Sequence, residues 1–421
     1  MKRSIAAACL GWMFSAVDIV LLILFQHEVA QALHVEVQVI RVAIGVGLLG
    51  SALGGVVFAQ LGDRYGRVRA LGWCVALYSL STAGMALSHG AAMLMAMRFL
   101  AGVGTGGEWS VGFALIAEVS PRTGRGKLGG MVAGMFNLGT FLAVVLFQAK
   151  LGWRTAFGVM ALPALYALWL RFTVPESPVW LALQEARARG QVDERLEAQY
   201  RRAPVALLFR GRLRGLTLKM TLLFTLMNFA FYAFSTTFMN YLQEAPATGG
   251  LGLDVRAQAP YQFVLTASGL VSVVTAGFLS DRLGRRLTFS AFCVLGGIGY
   301  LLLHWVTHQP GAGVPSGLLA IFCVITTGYG INGVVGTLAS ELFPTHLRST
   351  GPGFAQNLGK GIGGMAGPPL AGALVAPLGY SVVMALPGFF LLALAALIWL
   401  LPAVGGREVK AVEDDSYLGV A

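Results

Sequence analysis

Two short charged motifs each occur twice in this chain, about 220 residues apart, and every copy stands at the end of an apolar segment. Residues 62–67 read Gly-Asp-Arg-Tyr-Gly-Arg, and residues 280–285 read Ser-Asp-Arg-Leu-Gly-Arg. The second motif begins at Glu118 and again at Glu341, with a proline three residues on and an arginine four residues beyond that proline. A chain that repeats its charged turns but not its apolar segments is expected to hold two copies of one helical bundle, joined in the middle.

The apolar segments indicate that those bundles lie in a membrane and not in water. Only 12% of the 421 residues are charged and 56% are hydrophobic, whereas soluble domains carry roughly 25% charged residues. Twelve segments are long enough to cross about 30 Å of hydrocarbon as helices. We therefore predict an all-α membrane protein with twelve transmembrane helices in two six-helix bundles. The predicted spans are 4–26, 39–61, 69–88, 90–117, 128–149, 154–173, 216–242, 259–280, 287–306, 316–339, 351–376 and 378–402.

A polar, arginine-rich stretch in the middle of the chain separates the two halves. The predicted domains are an N-terminal six-helix bundle at 1–173, a cytoplasmic linker with short amphipathic helices at 174–215, a C-terminal six-helix bundle at 216–402 and a cytoplasmic tail at 403–421. Two interpretations of the linker stay open. It is either a gate latch or lipid contact at the membrane surface, or a solvated connection between the bundles.

The placement of positive charge predicts how the chain is oriented. If both termini are cytoplasmic, 24 of the 30 Lys and Arg residues fall in cytoplasmic loops and tails, which is the asymmetry of the positive-inside rule. The net charge of +11 then reflects orientation against membrane lipid. We expect no nucleic-acid partner, because the sequence shows neither a groove-reading fold nor an aromatic-interleaved basic surface.

No residue pattern supports enzymatic chemistry or a metal site. Cys9, Cys74, Cys293 and Cys323 stand singly in apolar segments and the six His residues are dispersed, so no pair has metal-ligand or redox spacing. The nucleophile elbow, the phosphate-binding loop and the zinc-protease signature are all missing from the sequence. We expect no cofactor, no metal and no enzymatic activity.

Several motifs resemble signatures of the major facilitator superfamily, and together they extend over nearly the whole chain. The 62–69 loop is similar to the signature between helices two and three, and 98–104 to the helix-four motif. Residues 175–181 resemble a motif shared by sugar porters and metabolite–proton symporters. Gly-Gly-Glu-Trp at 106–109, followed by Glu118, looks most like the organic-acid symporters, which include sialic acid, muconate and aromatic-acid carriers. The resemblance implies two bundles that move a small organic anion together with protons.

Two departures from the sugar porters argue against a sugar substrate. The Pro-Glu-Thr type of motif that follows helix twelve in sugar porters is replaced by Leu-Pro-Ala-Val-Gly-Gly at 401–406. Residues 221–240, on the predicted helix seven, contain no glutamine. An organic acid therefore fits the chain better than a sugar.

The repeated motifs place acidic and basic residues together at one membrane face. An Asp can cap the exposed amides of a following helix and pair with a nearby Arg. We predict that Asp63 lies near Arg67 or Arg125 and that Asp281 lies near Arg285 or Arg348. We expect these networks to be intact while the inner gate is shut. The alternative is that the charges only anchor orientation. The predicted gating residues are Gly62, Asp63, Arg64, Gly66, Arg67, Glu118, Arg125, Asp281, Arg282, Gly284, Arg285, Glu341 and Arg348.

Three ionisable residues of the first half stand out deep inside predicted spans, where a charge costs several kcal/mol unless it faces a cavity or a partner. Asp18 is the candidate proton carrier, because desolvation favours a neutral acid that can take and release a proton. The alternative for Asp18 is a static pair with Arg98, which we expect to be coupled to the proton site. Glu108 matches the acidic residue of the organic-acid symporters, and the resemblance implies a second proton site there. Its alternative is a local pairing.

Lys360, inside the predicted helix eleven, is the candidate for substrate recognition. In the acid symporters that the chain resembles, the matching position is usually Arg, and Lys supplies a point charge instead of a bidentate fork. The alternative is that Lys360 pairs with a carboxylate of the protein. Polar residues on other cavity-lining segments complete the predicted site: Gln356, Asn357, Asn137, Asn228, Tyr232, Tyr329 and Asn332.

These observations predict a secondary transporter that couples the symport of a small organic carboxylate anion to protons by alternating access. We expect an integral plasma membrane protein, in the inner membrane of a bacterium, that functions as a monomer. One alternative is a facilitator or proton-coupled exporter of sugars, drugs or other neutral or cationic compounds. Another is a membrane sensor that uses the same fold without transport.

Overall fold

A computed structural model describes residues 1–121, 124–149, 151–190, 204–253, 255–307 and 316–402 of the chain. Every regular element in these residues is a helix. The predicted tail at 403–421 and the middle of the predicted linker, 191–203, lie outside the described residues.

Eight helices make up the described part of the first half. They are α1 Lys2–Leu24, α2 Gln26–Ala32, α3 Val37–Tyr65, α4 Arg67–Met85, α5 Ala91–Val119, α6 Arg125–Gln148, α7 Trp153–Val159 and α8 Leu162–Thr173. Two short helices follow in the region between the halves, α9 Pro178–Ala188 and α10 Pro204–Leu207. Ser177 begins α9 as a side-chain cap, since its Oγ accepts a hydrogen bond from the Trp180 amide at 3.2 Å, as cap residues do at exposed helix starts.

The second half repeats this pattern of long helices. It contains α11 Gly211–Gln243, α12 Val255–Leu283, α13 Arg285–Thr307, α14 Ser316–Tyr329, α15 Asn332–Leu342, α16 Thr350–Gly359 and α17 Met365–Leu397. A π-helical segment, Lys360–Gly364, joins α16 to α17. Short 3₁₀ helices lie at Pro246–Thr248, Thr345–Leu347 and Ile398–Leu400.

Nine helices in the described part of the chain are long and apolar enough to cross a membrane. One of the nine, Thr350–Leu400, has 51 residues, more than twice the roughly 20 that a span needs, and it bends at Gly379, where φ is 78°. The helices predicted at 154–173 and 316–339 are each broken near the middle, by turns at 160–161 and 330–331.

Glycines allow α3 and α5 to pack with their backbones in contact. A Cβ on Gly54 would overlap the backbone of Val103, and a Cβ on Gly106 would overlap the carbonyl of Ser51. Small residues have this role in membrane helices, where close approach replaces the hydrophobic effect as the source of association. Two other contacts join the first half to the second. In one, α6 packs on α12 and α15, and in the other, α16 packs on α3 and α5.

We expect Gly54→Ala to lower the melting temperature of the purified protein in detergent, because the new methyl group must push α5 away and overpacking costs about 1–3 kcal/mol. Gly45→Ala is the matched control on the same helix, since a Cβ there would meet nothing within 4 Å. Equal melting temperatures for the two variants would show that α3 and α5 separate without cost.

Candidate functional site

The first charged cluster consists of Asp63, Arg67, Glu118 and Arg348. Arg67 Nη1 lies 2.8 Å from Asp63 Oδ1, and Arg67 Nη2 lies 2.8 Å from Glu118 Oε1. Arg348 Nη1 lies 3.5 Å from Glu118 Oε1. These side chains are 0–1% exposed, so water screens the pairs very little.

Asp63 also caps a helix of the other half. Its carboxylate accepts hydrogen bonds from the Ser349 amide at 3.1 Å, from the Thr350 amide at 2.8 Å and from the Thr350 hydroxyl at 2.7 Å. These amides are at the start of α16, where the backbone donors have no partner within the helix and the partial positive charge favours an anion. A carboxylate of the first half thus holds the beginning of a helix of the second half.

The second charged cluster consists of Asp281, Arg285, Glu341 and Arg125, and it repeats this geometry with the halves exchanged. Arg285 lies 2.8 Å from Asp281 and 3.1 Å from Glu341, and Arg125 lies 3.2 Å from Glu341. Asp281 accepts hydrogen bonds from the first amides of α6, those of residues 126 and 127, both at 2.8 Å. Each aspartate therefore lies beside the arginine four residues on.

The arginines that end the Glu-x-x-Pro motifs have a different role from their neighbours. Arg125, of the first half, contacts Glu341 of the second half, and Arg348, of the second half, contacts Glu118 of the first. Both glutamates thus join arginines from the two halves. All of these contacts lie at one end of the molecule.

Glycines make the sharp turns that precede α4 and α13. Gly66 has a φ of 111° and Gly284 a φ of 88°, values at which a side chain is strained and glycine is favoured. Gly62 contributes its backbone, since its carbonyl accepts a hydrogen bond from Arg67 Nη1 at 2.7 Å. These glycines shape the clusters rather than supply side-chain chemistry.

Two predicted gating residues are outside both clusters. Arg64 and Arg282 are exposed, and each lies over an aromatic ring, Arg64 over Tyr65 at 5.2 Å and Arg282 over Phe278 at 5.8 Å. Such contacts are cation–π interactions at the surface. Both arginines suit an interfacial position better than a gate.

Glu176 lies beside the first cluster, although it is not among the gating residues predicted from the sequence. Its Oε1 accepts hydrogen bonds from the Arg67 amide at 2.8 Å and the Val68 amide at 3.1 Å, so it caps α4. Trp180, in α9, donates its indole N–H to the carbonyl of Asp63 at 3.0 Å. The signal was present in the sequence, since both residues belong to the motif at 175–181.

Asp18 and Arg98 form a buried pair inside the first half. Arg98 Nη1 lies 3.2 Å from Asp18 Oδ1, and the two residues are 4% and 1% exposed. Arg98 also donates to the carbonyls of Asp18 and Ile19, at 3.1 Å and 3.3 Å. Thr82 donates its hydroxyl to Asp18. No sequence signal distinguishes Thr82 from other threonines in an apolar helix.

Glu108 lies apart from that pair. It is 2% exposed, and neither carboxylate oxygen has a hydrogen-bond partner of ordinary geometry among the described residues. Its neighbours include Ser15, Tyr78 and Cys74, and it fills the space beside Gly11. A charged carboxylate at this depth with no cation beside it is costly, so Glu108 stands out among the buried residues of the first half.

A cavity of about 300 Å³ lies between the two halves. Seven of the eight predicted substrate residues line it: Lys360, Gln356, Asn137, Asn228, Tyr232, Tyr329 and Asn332. Lys360 donates a hydrogen bond to Ser51 on α3 at 3.3 Å. Asp18, Arg98 and Glu108 are not part of the lining.

Asn357 is the predicted substrate residue that the structure places elsewhere. Its amide nitrogen donates to the carbonyls of Gly106 and Gly353, at 3.2 Å and 2.9 Å, and it is 2% exposed. Asn357 therefore holds α16 against α5 and is not in the cavity lining.

The sequence analysis missed most of the aromatic residues of the cavity. The rings that it did not assign are Trp12, Trp109, Phe136, Phe231, Phe234 and Tyr300. In an apolar helix, aromatic residues that face lipid and those that face a cavity have the same local sequence, so periodicity does not identify them.

The described residues show no cluster of His, Cys, Asp and Glu that could hold a metal ion. Two sets of membrane-length helices enclose a central cavity, and paired charges join the sets at one end. This architecture is that of a membrane transporter.

Comparisons with known proteins give the family. The model of the Major Facilitator Superfamily matches residues 4–368 and 263–416. The sialic acid transporter NanX of Escherichia coli is 25% identical, covering 88% of this chain and 86% of the relative. A cis,cis-muconate transport protein of Acinetobacter baylyi is 28% identical, covering 74% of this chain and 73% of the relative. The structure of the proton:xylose symporter XylE superposes with a TM-score of 0.76 at 21% identity, covering 96% of this chain and 97% of that one.

The chain belongs to the Major Facilitator Superfamily. It is an integral transporter of the bacterial inner membrane and not an enzyme, which confirms the assignment made from the sequence. The likeness to sialic acid and muconate carriers also confirms the resemblance to organic-acid transporters.

Proposed function

We propose that the protein is a proton-coupled symporter that carries a small organic carboxylate anion by alternating access. The observation that carries the proposal is Lys360, an ammonium group in the lining of a cavity between the halves. In the described part of the chain it forms no ion pair, and its hydrogen bond goes to the neutral Ser51. A cation in a membrane interior is costly without a partner, and a bound carboxylate supplies one. The acid-carrying relatives support this choice of substrate.

The proposed topology has twelve spans with both termini in the cytoplasm. The nine long helices become twelve if Thr350–Leu400 is divided at Gly379, α4 is added, and α7 and α8 together count as one span. The positive-inside rule gives the orientation. The proposed domains are those predicted from the sequence: bundles at 1–173 and 216–402, a linker at 174–215 and a tail at 403–421. We propose that the protein works as a monomer surrounded by lipid.

The two charged clusters are then the cytoplasmic gate in its shut state. Lys360 lies roughly 18 Å along the helix from Arg348, at 1.5 Å per residue over twelve residues, so the substrate site is well beyond the gate. Opening toward the cytoplasm requires that Asp63 release α16 and that Asp281 release α6. This argues for a gate rather than an orientation anchor, because an anchor has no use for capping bonds between the halves.

Asp18 is the proposed proton carrier, with Arg98 as the residue that holds it and Glu108 as a second proton site. The Arg98 and Thr82 contacts stabilise the carboxylate of Asp18, and protonation removes the charge that makes these contacts strong. Proton uptake thereby loosens α1 from α5 and α4. Weaker contacts of α1 with α4 and α5 change the relative free energies of the two arrangements of the bundles, and so shift the equilibrium between them.

Asp18→Asn is expected to abolish uptake driven by a proton gradient in proteoliposomes while leaving substrate counterflow largely intact, because Asn keeps the polar contacts but cannot carry a proton. Glu36→Gln, an exposed carboxylate before α3, is the control and should behave like the wild type. Full gradient-driven accumulation by Asp18→Asn would remove Asp18 from the coupling mechanism.

Asp63→Asn and Asp281→Asn should each raise the labelling, from the cytoplasmic side, of a cysteine introduced in the cavity by Thr266→Cys, with the native cysteines replaced. Loss of the charge weakens the closed gate, and a change of about 1.4 kcal/mol shifts the population tenfold. Arg64→Gln, outside both clusters, should leave the labelling rate unchanged. Wild-type rates in both aspartate variants would mean that the clusters serve folding or orientation only.

Lys360→Ala should weaken binding of the carboxylate substrate by about 2–5 kcal/mol, since the anion loses its desolvated partner, and Lys360→Arg should retain much of the affinity. Isothermal titration on purified protein measures both. Unchanged affinity in Lys360→Ala, or a neutral sugar as the best ligand, would replace the anion symporter with the facilitator of neutral compounds.

A further inference from the structure

The lining of the cavity combines many aromatic rings with a single charge. Eight of the lining side chains are aromatic, and among the described residues that line the cavity Lys360 has the one charged group. The volume of the cavity, about 300 Å³, is at the lower end of the range for ligand pockets. The composition therefore selects for a small, largely apolar ligand with one negative charge.

Both halves supply a pair of rings in contact. Trp12 and Phe136, of α1 and α6, have centroids 5.4 Å apart at an interplanar angle of 43°. Phe231 and Tyr329, of α11 and α14, have centroids 5.5 Å apart at 38°. A flat ring that binds between the halves thus finds aromatic faces or edges on both of them. Stacked and edge-to-face contacts of this kind add about two- to tenfold in affinity beyond the burial of area.

Two of the four carboxamide groups in the lining already donate to backbone carbonyls. Asn228 donates to the carbonyl of Phe224 at 2.7 Å, and Asn332 donates to the carbonyl of Tyr329 at 2.9 Å. Two buried amide atoms have no hydrogen-bond partner in the described residues, Nδ2 of Asn137 and Oε1 of Gln356. These two atoms are available to a polar atom of a bound ligand.

We propose that the substrate is a one-ring aromatic monocarboxylate, with its carboxylate on Lys360 and its ring between the aromatic pairs of the two halves. This rests on the proposed function, because it names the class of organic anion that the same site takes. A second carboxylate on the ring would have no cation among the described lining residues. A saturated ring would lose the aromatic contacts while keeping the charge.

Four ligands, titrated into the purified full-length protein, distinguish the contribution of the single negative charge from that of the aromatic ring. They are benzoate, cyclohexanecarboxylate, terephthalate and benzamide. Benzoate and cyclohexanecarboxylate share one charge and a six-membered ring, but only benzoate is flat and aromatic. We expect benzoate to bind about two- to tenfold more tightly than cyclohexanecarboxylate. Terephthalate, with two charges, and benzamide, with none, should bind most weakly.

A matched pair of variants on α6 tests the aromatic wall. Phe136→Leu should weaken benzoate binding about two- to tenfold and leave cyclohexanecarboxylate binding nearly unchanged. Phe141→Leu is the control, because Phe141 is 50% exposed and outside the cavity lining, and it should alter neither. The melting temperature of each variant shows that the protein tested is folded.

Each outcome bears on a different claim. Equal or tighter binding of cyclohexanecarboxylate, or an equal loss for both acids in Phe136→Leu, overturns the aromatic class while the anion symporter stands. Undetectable benzoate binding by folded protein also overturns the aromatic class, and titration with aliphatic and hydroxylated acids then tests the symporter. Benzamide binding as tight as that of benzoate overturns the proposed function itself.

Discussion

Asp63 and Asp281 each bury a carboxylate against the first backbone amides of a helix that belongs to the opposite half. Where such a bond is buried, no water replaces a lost partner, so the halves stay joined at this end as long as it is dry. Entry of water changes that balance, since protein–water bonds then replace the protein–protein bonds at small net cost. Under the proposed function, hydration of the two clusters, more than the strength of any one pair, therefore decides whether the halves part.

The buried charges near the centre of the protein act on one another. Arg98 and Lys360 both interact electrostatically with Asp18, although Asp18 is not in the lining of the cavity. Under the proposed function, protonation of Asp18 removes a negative charge from the surroundings of Lys360 and leaves the ammonium with a greater need for an anion. Coupling between two binding sites is reciprocal, so a bound anion in turn favours the proton.

The contacts that the sequence predicted are those set by local spacing. Asp63 with Arg67, and Asp281 with Arg285, are four residues apart on a helix, where side chains meet. The pairing of Arg125 with Glu341 depends on how the halves dock, which no spacing within one segment specifies. Gly379 shows the same limit, because the sequence predicted two spans there but not that the chain bends at a glycine with positive φ.

Inside the helices, neighbours in sequence have unlike surroundings. Gln356 lines the cavity while Asn357, the next residue, bonds to the backbone of α5. Phe136 lines the cavity while Phe141, on the same helix, is half exposed. The two residues of each pair have similar side chains. They differ in which side of the helix faces the cavity, and this is set by the rotation of the helix about its axis. That rotation follows from packing between helices, so the polar and aromatic residues of a span could be identified as candidates but not sorted.

The π-helical segment at Lys360 also affects how the helix packs on α11. Gly359, Gly363 and Gly367 each approach the backbone of α11, four residues apart along the chain. Four residues make slightly more than one full turn of an α-helix. In the wider π-helix, four residues make slightly less than one full turn. The two deviations oppose each other between Gly359 and Gly367, so the three glycines stay in one line. One continuous line of backbone contact passes Lys360 on both sides and holds the backbone of Lys360 at one level along α11.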